Sequence, residues 1–197
     1  MTNEQFQGDF LKGLKKNYPN VNLNKIIEHW TEFEFVTIPK KEHLIKSGVY
    51  YGKIVFVISG LFRAYYHLED TEHTFWFREE NTVFASHRSI LQNKPSSISY
   101  QALEDSVVAV VDYYLLKQMA KDDPEIAKSI MTVLEGLVLE LIDRVEEFIT
   151  MLPEERYIHF IQVHENIVTR LPQNQLASYL GITPVSFSRL KSRMMNR

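Results

Sequence analysis

Ala127, Met131, Leu134, Val138, Leu141, Val145 and Phe148 stand at strictly alternating spacings of four and three. Such a repeat describes a long α-helix carrying a narrow apolar seam. A second stripe, Ile126, Ile130, Val133 and Leu137, runs along an adjacent face. The helix is predicted to start at Pro124, whose missing N–H is harmless in a first turn, with Asp122 and Asp123 in front as candidate caps. It stops at Leu152-Pro153, because proline donates no hydrogen bond and disfavours a helical residue before it. Two arrangements satisfy the pattern. In one, the second stripe packs on its own chain while Met131, Leu134, Val138, Leu141, Val145 and Phe148 pair with a symmetry mate. In the other, a single wide-faced helix is buried within the monomer.

Upstream the pattern is different. Residues 1–32 read as helical, with Phe6, Phe10, Leu11 and Leu14 and then Ile26, Ile27 and Trp30 at helical spacing. Short β-prone runs follow at Phe33–Ile38, His43–Ile45, Ile54–Ser59, Leu61–His67, Thr74–Arg78 and Ser106–Val111, punctuated by Pro39, Gly48, Gly52, Gly60 and the polar stretch Glu69–Glu72. Many short strands with tight turns favour a sandwich or rolled barrel over a parallel sheet. There is no strand–helix alternation and no Gly-rich phosphate loop. Downstream, Glu154–Val163 reads as a short helix with Tyr157, Phe160 and Ile161 inward. The expected organisation is therefore α+β in three parts: a β-roll with N-terminal helices over 1–115, the long helix over 116–152 with a hinge at 150–153, and a helical domain over 153–197.

Charge separates these parts further. The chain carries a net charge of −3, yet residues 166–197 hold five basic side chains (Arg170, Arg189, Lys191, Arg193 and Arg197) and no Asp or Glu. The rest holds 17 basic against 25 acidic residues, a net −8. A basic end on an acidic body suits a tail that meets phosphate, and equally a solvated terminus. With 0 cysteines, disulfides, cysteine-held zinc, iron–sulfur clusters and thiol nucleophiles are excluded. Neither a signal-peptide core nor an apolar run of membrane-spanning length is present, so a cytoplasmic location without membrane contact is expected.

Residues 173–192 carry the most specific pattern. Leu176 and Leu180 give a first helix its apolar face, and Ala177 is small where a second helix would cross. Gly181 suits the left-handed turn that ends a helix, and Ile182 plugs that turn. Thr183 is a good N-cap with Pro184 at the first helical position. Phe187 and Leu190 then point inward. Thr183, Val185, Ser186, Ser188, Arg189, Ser192 and Arg193 are left facing out, with Arg170 nearby in the basic tail. Small hydroxyls and arginine on an exposed helix suit the major groove, since Arg pairs in bidentate fashion with guanine and Ser reaches phosphate or base edges. The alternative is a helical hairpin that binds protein or nothing. One such unit contacts few base pairs, so specific sites normally need two units about 34 Å apart on a dimer axis.

The whole order resembles the Crp/Fnr family of transcription regulators. In the β-section the resemblance rests on Pro39-Lys40-Lys41-Glu42-His43-Leu44-Ile45-Lys46-Ser47-Gly48 and Val57-Ile58-Ser59-Gly60-Leu61-Phe62-Arg63, and at the C-terminus on Leu176 to Leu190. It implies a cyclic-nucleotide-binding-like β-roll (a double-stranded β-helix), a long dimerisation helix and a winged-helix-like helix-turn-helix domain, although His164–Pro172 is too short for a full wing. It also implies a homodimer on palindromic double-stranded operator DNA that touches RNA polymerase, with the helix from Pro184 reading bases and a small-molecule effector sensed in the roll. Cyclic-nucleotide binders of the family place a Glu on the ribose and an Arg on the phosphate. Here those segments fall on Phe84-Ala85-Ser86 and Ser96-Ser97-Ile98, so Ser86 and Ser96 replace both charged groups, and Arg88 lies nearby as a cation that could substitute. Weak or no cyclic AMP binding is expected, since a lost charge-assisted contact costs roughly 1.5–3 kcal/mol.

Other chemistry finds little support. His67, His73 and His87 form no ligand-spaced pair with a carboxylate, so neither a metal nor another cofactor is expected. Phe75-Trp76-Phe77 with Tyr65 and Tyr66 reads as core and roll lining. No nucleophile–base or paired-carboxylate spacing points to an enzyme. A cupin-type barrel, as binding protein or enzyme, would need a His-rich metal motif on its strands; a protein adaptor with a degenerate helix-turn-helix is the other alternative.

Overall fold

The computed structural model describes residues 3–195, and side chains from residue 5 to 194; Arg197, counted in the basic tail, lies outside the described residues. Two helices, α1 (Asn3–Asn17) and α2 (Leu23–Glu28), precede eight strands: β1 (Glu34–Ile38), β2 (His43–Ile45), β3 (Lys53–Ser59), β4 (Phe62–Leu68), β5 (Thr71–Arg78), β6 (Val83–Ala85), β7 (Ser99–Ala102) and β8 (Ser106–Asp112). A short helix, α3 (His87–Gln92), interrupts them after β6. The strands form two antiparallel four-stranded sheets, ordered β1-β8-β3-β6 and β2-β7-β4-β5. Apolar residues from both sheets, among them Val55, Val57, Phe62, Ala64, Phe84, Tyr100, Val108 and Val110, fill the space between them. This is the rolled α+β architecture expected from the sequence.

The strand map is richer than the sequence pattern suggested. Strands β6 and β7 have three and four residues, too few for period-2 alternation to register. Strand β5 begins at Thr71 because Glu69, read above as linker, takes a left-handed turn (φ 54°) that closes a tight β4–β5 hairpin.

After the roll come α4 (Tyr113–Asp122), α5 (Pro124–Thr150), α6 (Pro153–Val163), α7 (Gln173–Tyr179) and α8 (Pro184–Met195). Helix α4 crosses the expected 115/116 boundary; Asp112 caps it, accepting from the N–H groups of Tyr114 and Leu115. Asp123 caps α5 at the Glu125 N–H, with Pro124 in the first turn. The face of α5 turned to its own chain begins with the buried Ile126, with Ser129, which accepts from the Asn22 N–H of the α1–α2 connection, and with Val133, which packs on the cluster shared by α1 and the roll. Further along, that face becomes polar. Glu140 accepts from Arg78 at 2.5 Å, and Arg144 donates to the Tyr179 carbonyl. Among the described residues, no helix is long and apolar enough to cross a membrane.

Candidate nucleic-acid interface and roll cassette

Helices α7 and α8 form a compact pair whose joint depends on backbone chemistry. The Ile182 N–H reaches back to the Ala177 carbonyl at 3.0 Å and the Gly181 N–H to Ser178 at 3.1 Å, while Gly181 takes φ +73°. That is a Schellman turn, and it requires a residue free of left-handed strain. Thr183 then caps α8: its Oγ1 accepts from the Ser186 N–H at 3.1 Å. Leu176, Ala177, Leu180, Phe187 and Leu190 are buried together with Tyr157 and Phe160 of α6.

Burying Phe187 and Leu190 rotates the opposite side of α8 into solvent. Thr183, Val185, Ser186, Ser188, Arg189, Ser192 and Arg193 are all exposed, with Val185 at 62%. No acidic residue lies on α8, and its first turn offers backbone N–H groups beside a hydroxyl, a setting that favours phosphate. Arg170 must be taken off this surface. Its guanidinium is bound on two sides by Glu80 and Glu104 of the roll.

The apolar seam of α5 is open. Met131, Leu134, Val138, Leu141, Val145 and Phe148 are each 44–54% exposed, and Ile142, Ile149 and Leu152 widen the strip. Phe148 has a second role that spacing did not reveal. The guanidiniums of Arg144 and Arg156 lie 4.4 and 4.6 Å from its ring centre. Arg156 also donates through Nη1 to the Met151 carbonyl at 2.6 Å and through Nη2 to the Leu180 carbonyl at 2.9 Å. It thus spans the break between α5 and α6 and ties it to α7. Ser178 adds a further tether, accepting from the Thr74 N–H of β5 at 2.9 Å. Neither Arg144, Arg156 nor Ser178 stood out in the sequence, where isolated arginines and serines between apolar residues look like solvated positions.

In the roll, the cassette residues are occupied by one another. The Phe84 ring stacks on Tyr100 at 4.3 Å and lies 5.4 Å from Phe62, filling the interior. Ser86 is the buried N-cap of α3, accepting from the Ser89 hydroxyl at 2.9 Å. Ser96, also buried, donates to the Ile98 carbonyl at 2.7 Å, and Ser97 is half-buried beside it. Arg88 is exposed, and its charge opposes the upward push that burial exerts on the Tyr66 phenol. Two imidazoles of the roll are held below their ordinary value of 6.5: His43 by burial and then Lys46, His87 by burial and then Arg88. No three His, Asp or Glu side chains among the described residues gather as a metal site would need.

Residues 35–123 match the cyclic nucleotide-binding domain family. No curated protein matches the chain. Among solved structures, FixK2 from Bradyrhizobium japonicum is 18% identical over 83% of this chain and 85% of its own, with a TM-score of 0.72. A CooA mutant from Carboxydothermus hydrogenoformans is 20% identical over 86% of this chain and 79% of its own, with a TM-score of 0.68. The c-di-GMP-responsive global regulator CLP of Xanthomonas campestris is 12% identical over 89% of this chain and 92% of its own, with a TM-score of 0.73. At these identities the likeness is one of fold, extending well beyond the matched domain. Within the matched domain, the hydroxyls of Ser86 and Ser96 are engaged with the chain's own groups.

Proposed function

We propose that this chain is a sequence-specific DNA-binding transcription regulator, acting as a homodimer on a palindromic operator. The observation that carries the reading is α8 itself. Phe187 and Leu190 anchor its inward side, while Ser186, Ser188, Arg189, Ser192 and Arg193 are exposed on an acid-free face. Arg189 is the base-reading residue, suited to guanine N7 and O6, and the hydroxyls flank it on phosphate or base edges. The open seam of α5 takes a second copy and supplies the two-fold axis that a paired recognition surface needs. The hinge at 150–153 joins this axis to the reading unit. RNA polymerase is the expected protein partner on the promoter.

The roll acts as the sensor, for an effector other than cyclic AMP. The CLP neighbour is described as a c-di-GMP-responsive regulator, which supports a sensory role for such a roll.

Selection of bound duplexes from random DNA, followed by sequencing, tests the reading, and a palindromic consensus is expected. Fluorescence anisotropy on the selected duplex should weaken with salt by close to 0.9 logarithmic units per neutralised phosphate for each decade. Recovery of no consensus, together with binding that ignores salt, would reject it in favour of a protein-binding helical pair.

A further inference from the structure

The helical unit α6–α8 does not hang from α5 alone. Arg170 lies in the connection between α6 and α7, and its guanidinium is gripped from two sides. Toward Glu80 it donates through Nη1 to Oε2 at 3.0 Å and through Nη2 to Oε1 at 2.8 Å. Toward Glu104 it donates through Nε to Oε2 at 3.2 Å and through Nη2 to Oε1 at 2.5 Å. Both contacts are two-pronged, the geometry in which a planar guanidinium orients its partners as well as attracting them.

The partners come from separate turns at one end of the roll. Glu80 lies in the β5–β6 turn, and its Oε1 also accepts from the Gly60 N–H of the β3–β4 turn at 2.9 Å. Glu104 lies in the β7–β8 turn. Beside them, Glu79 meets His164 Nδ1 at 3.0 Å. Two carboxylates thus hold the Arg170 guanidinium, and a third, Glu79, holds the neighbouring His164. Burial alone would raise the Glu80 carboxyl, but hydrogen bonds from Arg170 and the Gly60 N–H hold it below its ordinary value. Beneath this polar rim, Leu61 and Phe77 of the roll are buried against the helical unit, with Phe77 5.3 Å from the Tyr179 ring and 6.2 Å from that of Phe160.

We propose that Arg170 is a latch that fixes the C-terminal helical unit to the roll of its own chain, so that three roll turns, together with the α5–α6 joint, set the direction of α8. The latch aims α8 without covering it, because the outward residues of α8 remain exposed while Arg170 is engaged. A displacement of any of the three turns is then passed to the helical unit through a direct contact. The inference concerns the position of the unit and holds whether or not α8 reads DNA.

The absence of cysteine makes the position measurable. Spin labels placed by His67→Cys on β4 and Ser192→Cys on α8, in full-length chain diluted with unlabelled chain, report the distance within one molecule. A single narrow distribution is expected. Arg170→Ala should broaden it and raise proteolytic cleavage at Met151-Leu152 by about tenfold or more, the loss expected for charge-assisted contacts. Arg170→Lys, which keeps the charge but cannot fork toward both carboxylates, should broaden it less. Should Arg170→Ala not fold, the pair Glu80→Gln and Glu104→Gln carries the same test, since it keeps the side-chain shape and removes the ion pairs. An unchanged distance distribution and cleavage rate in a variant that keeps its circular dichroism would overturn the latch.

Discussion

The edge of the Phe148 ring occupies the place that a side chain on Gly181 would need: a Cβ at that glycine would stand 2.9 Å from Phe148 Cε1. The turn between α7 and α8 is thus seated directly on the last turns of α5. Gly181→Ala combines this clash with left-handed strain at φ +73°. A loss of about 1–3 kcal/mol is expected, measured as a lower urea midpoint. Adding Phe148→Ala should recover only the steric part, so the double variant should remain less stable than Phe148→Ala alone.

The α5 seam should respond to charge. Val138→Glu together with Leu141→Glu would place carboxylates on both sides of the proposed two-fold contact, so light scattering at micromolar concentration should give a dimer mass for the unaltered chain and a monomer mass for the variant. Because both positions are exposed in the single chain, monomer stability should change by no more than about 0.5 kcal/mol per site. An unchanged molar mass would remove the seam from the interface.

Arg189→Ala should relax preference at one base position at a cost of about 1–3 kcal/mol. Its signature is a flattened preference at that position on the selected duplex. A uniform loss across all sequences would mean that Arg189 touches phosphate instead.

Cyclic AMP should give no binding heat in calorimetry at micromolar protein. The cassette would need Ser86 and Ser96 to abandon buried hydrogen bonds and would still offer the anion no partner of opposite charge. A submicromolar dissociation constant would show that Arg88 turns inward.

Mild acid should weaken the fold through His43 and His87. His43 and His87 are held below 6.5 in the folded chain, so the unfolded chain binds more protons as the pH drops past that value. The stability they permit is complete above about pH 6.5 and is lost as the pH falls toward their folded values. Urea midpoints at pH 7.5 and 5.5 should show the decline, and His43→Gln with His87→Gln should flatten it.

Much of this architecture could be read from spacing. The stripe holding Ile126 and Val133 is legible because apolar periodicity reports burial, and Gly181, Thr183 and Pro184 because each answers a backbone requirement. What escaped the sequence has a common cause. Glu140 and Arg144 lie on the buried side of α5 but are charged, so they looked like its solvent face. Their partners, Arg78 and the Tyr179 carbonyl, are 62 and 35 residues away. Arg170 was misjudged for the same reason, since Glu80 is 90 residues upstream. Local pattern carries no signal for polar contacts made at that range.

Strand β5 is the outermost member of its sheet, and a free edge strand is a template for pairing with other molecules. Here Ser178 sits on that edge, taking the Thr74 N–H and donating to the Glu72 carbonyl. The C-terminal helices therefore also act as an edge guard for the sheet. A chain cut after Leu152 would bare this strand along with Leu61 and Phe77, and would be expected to aggregate rather than behave as a free-standing sensor.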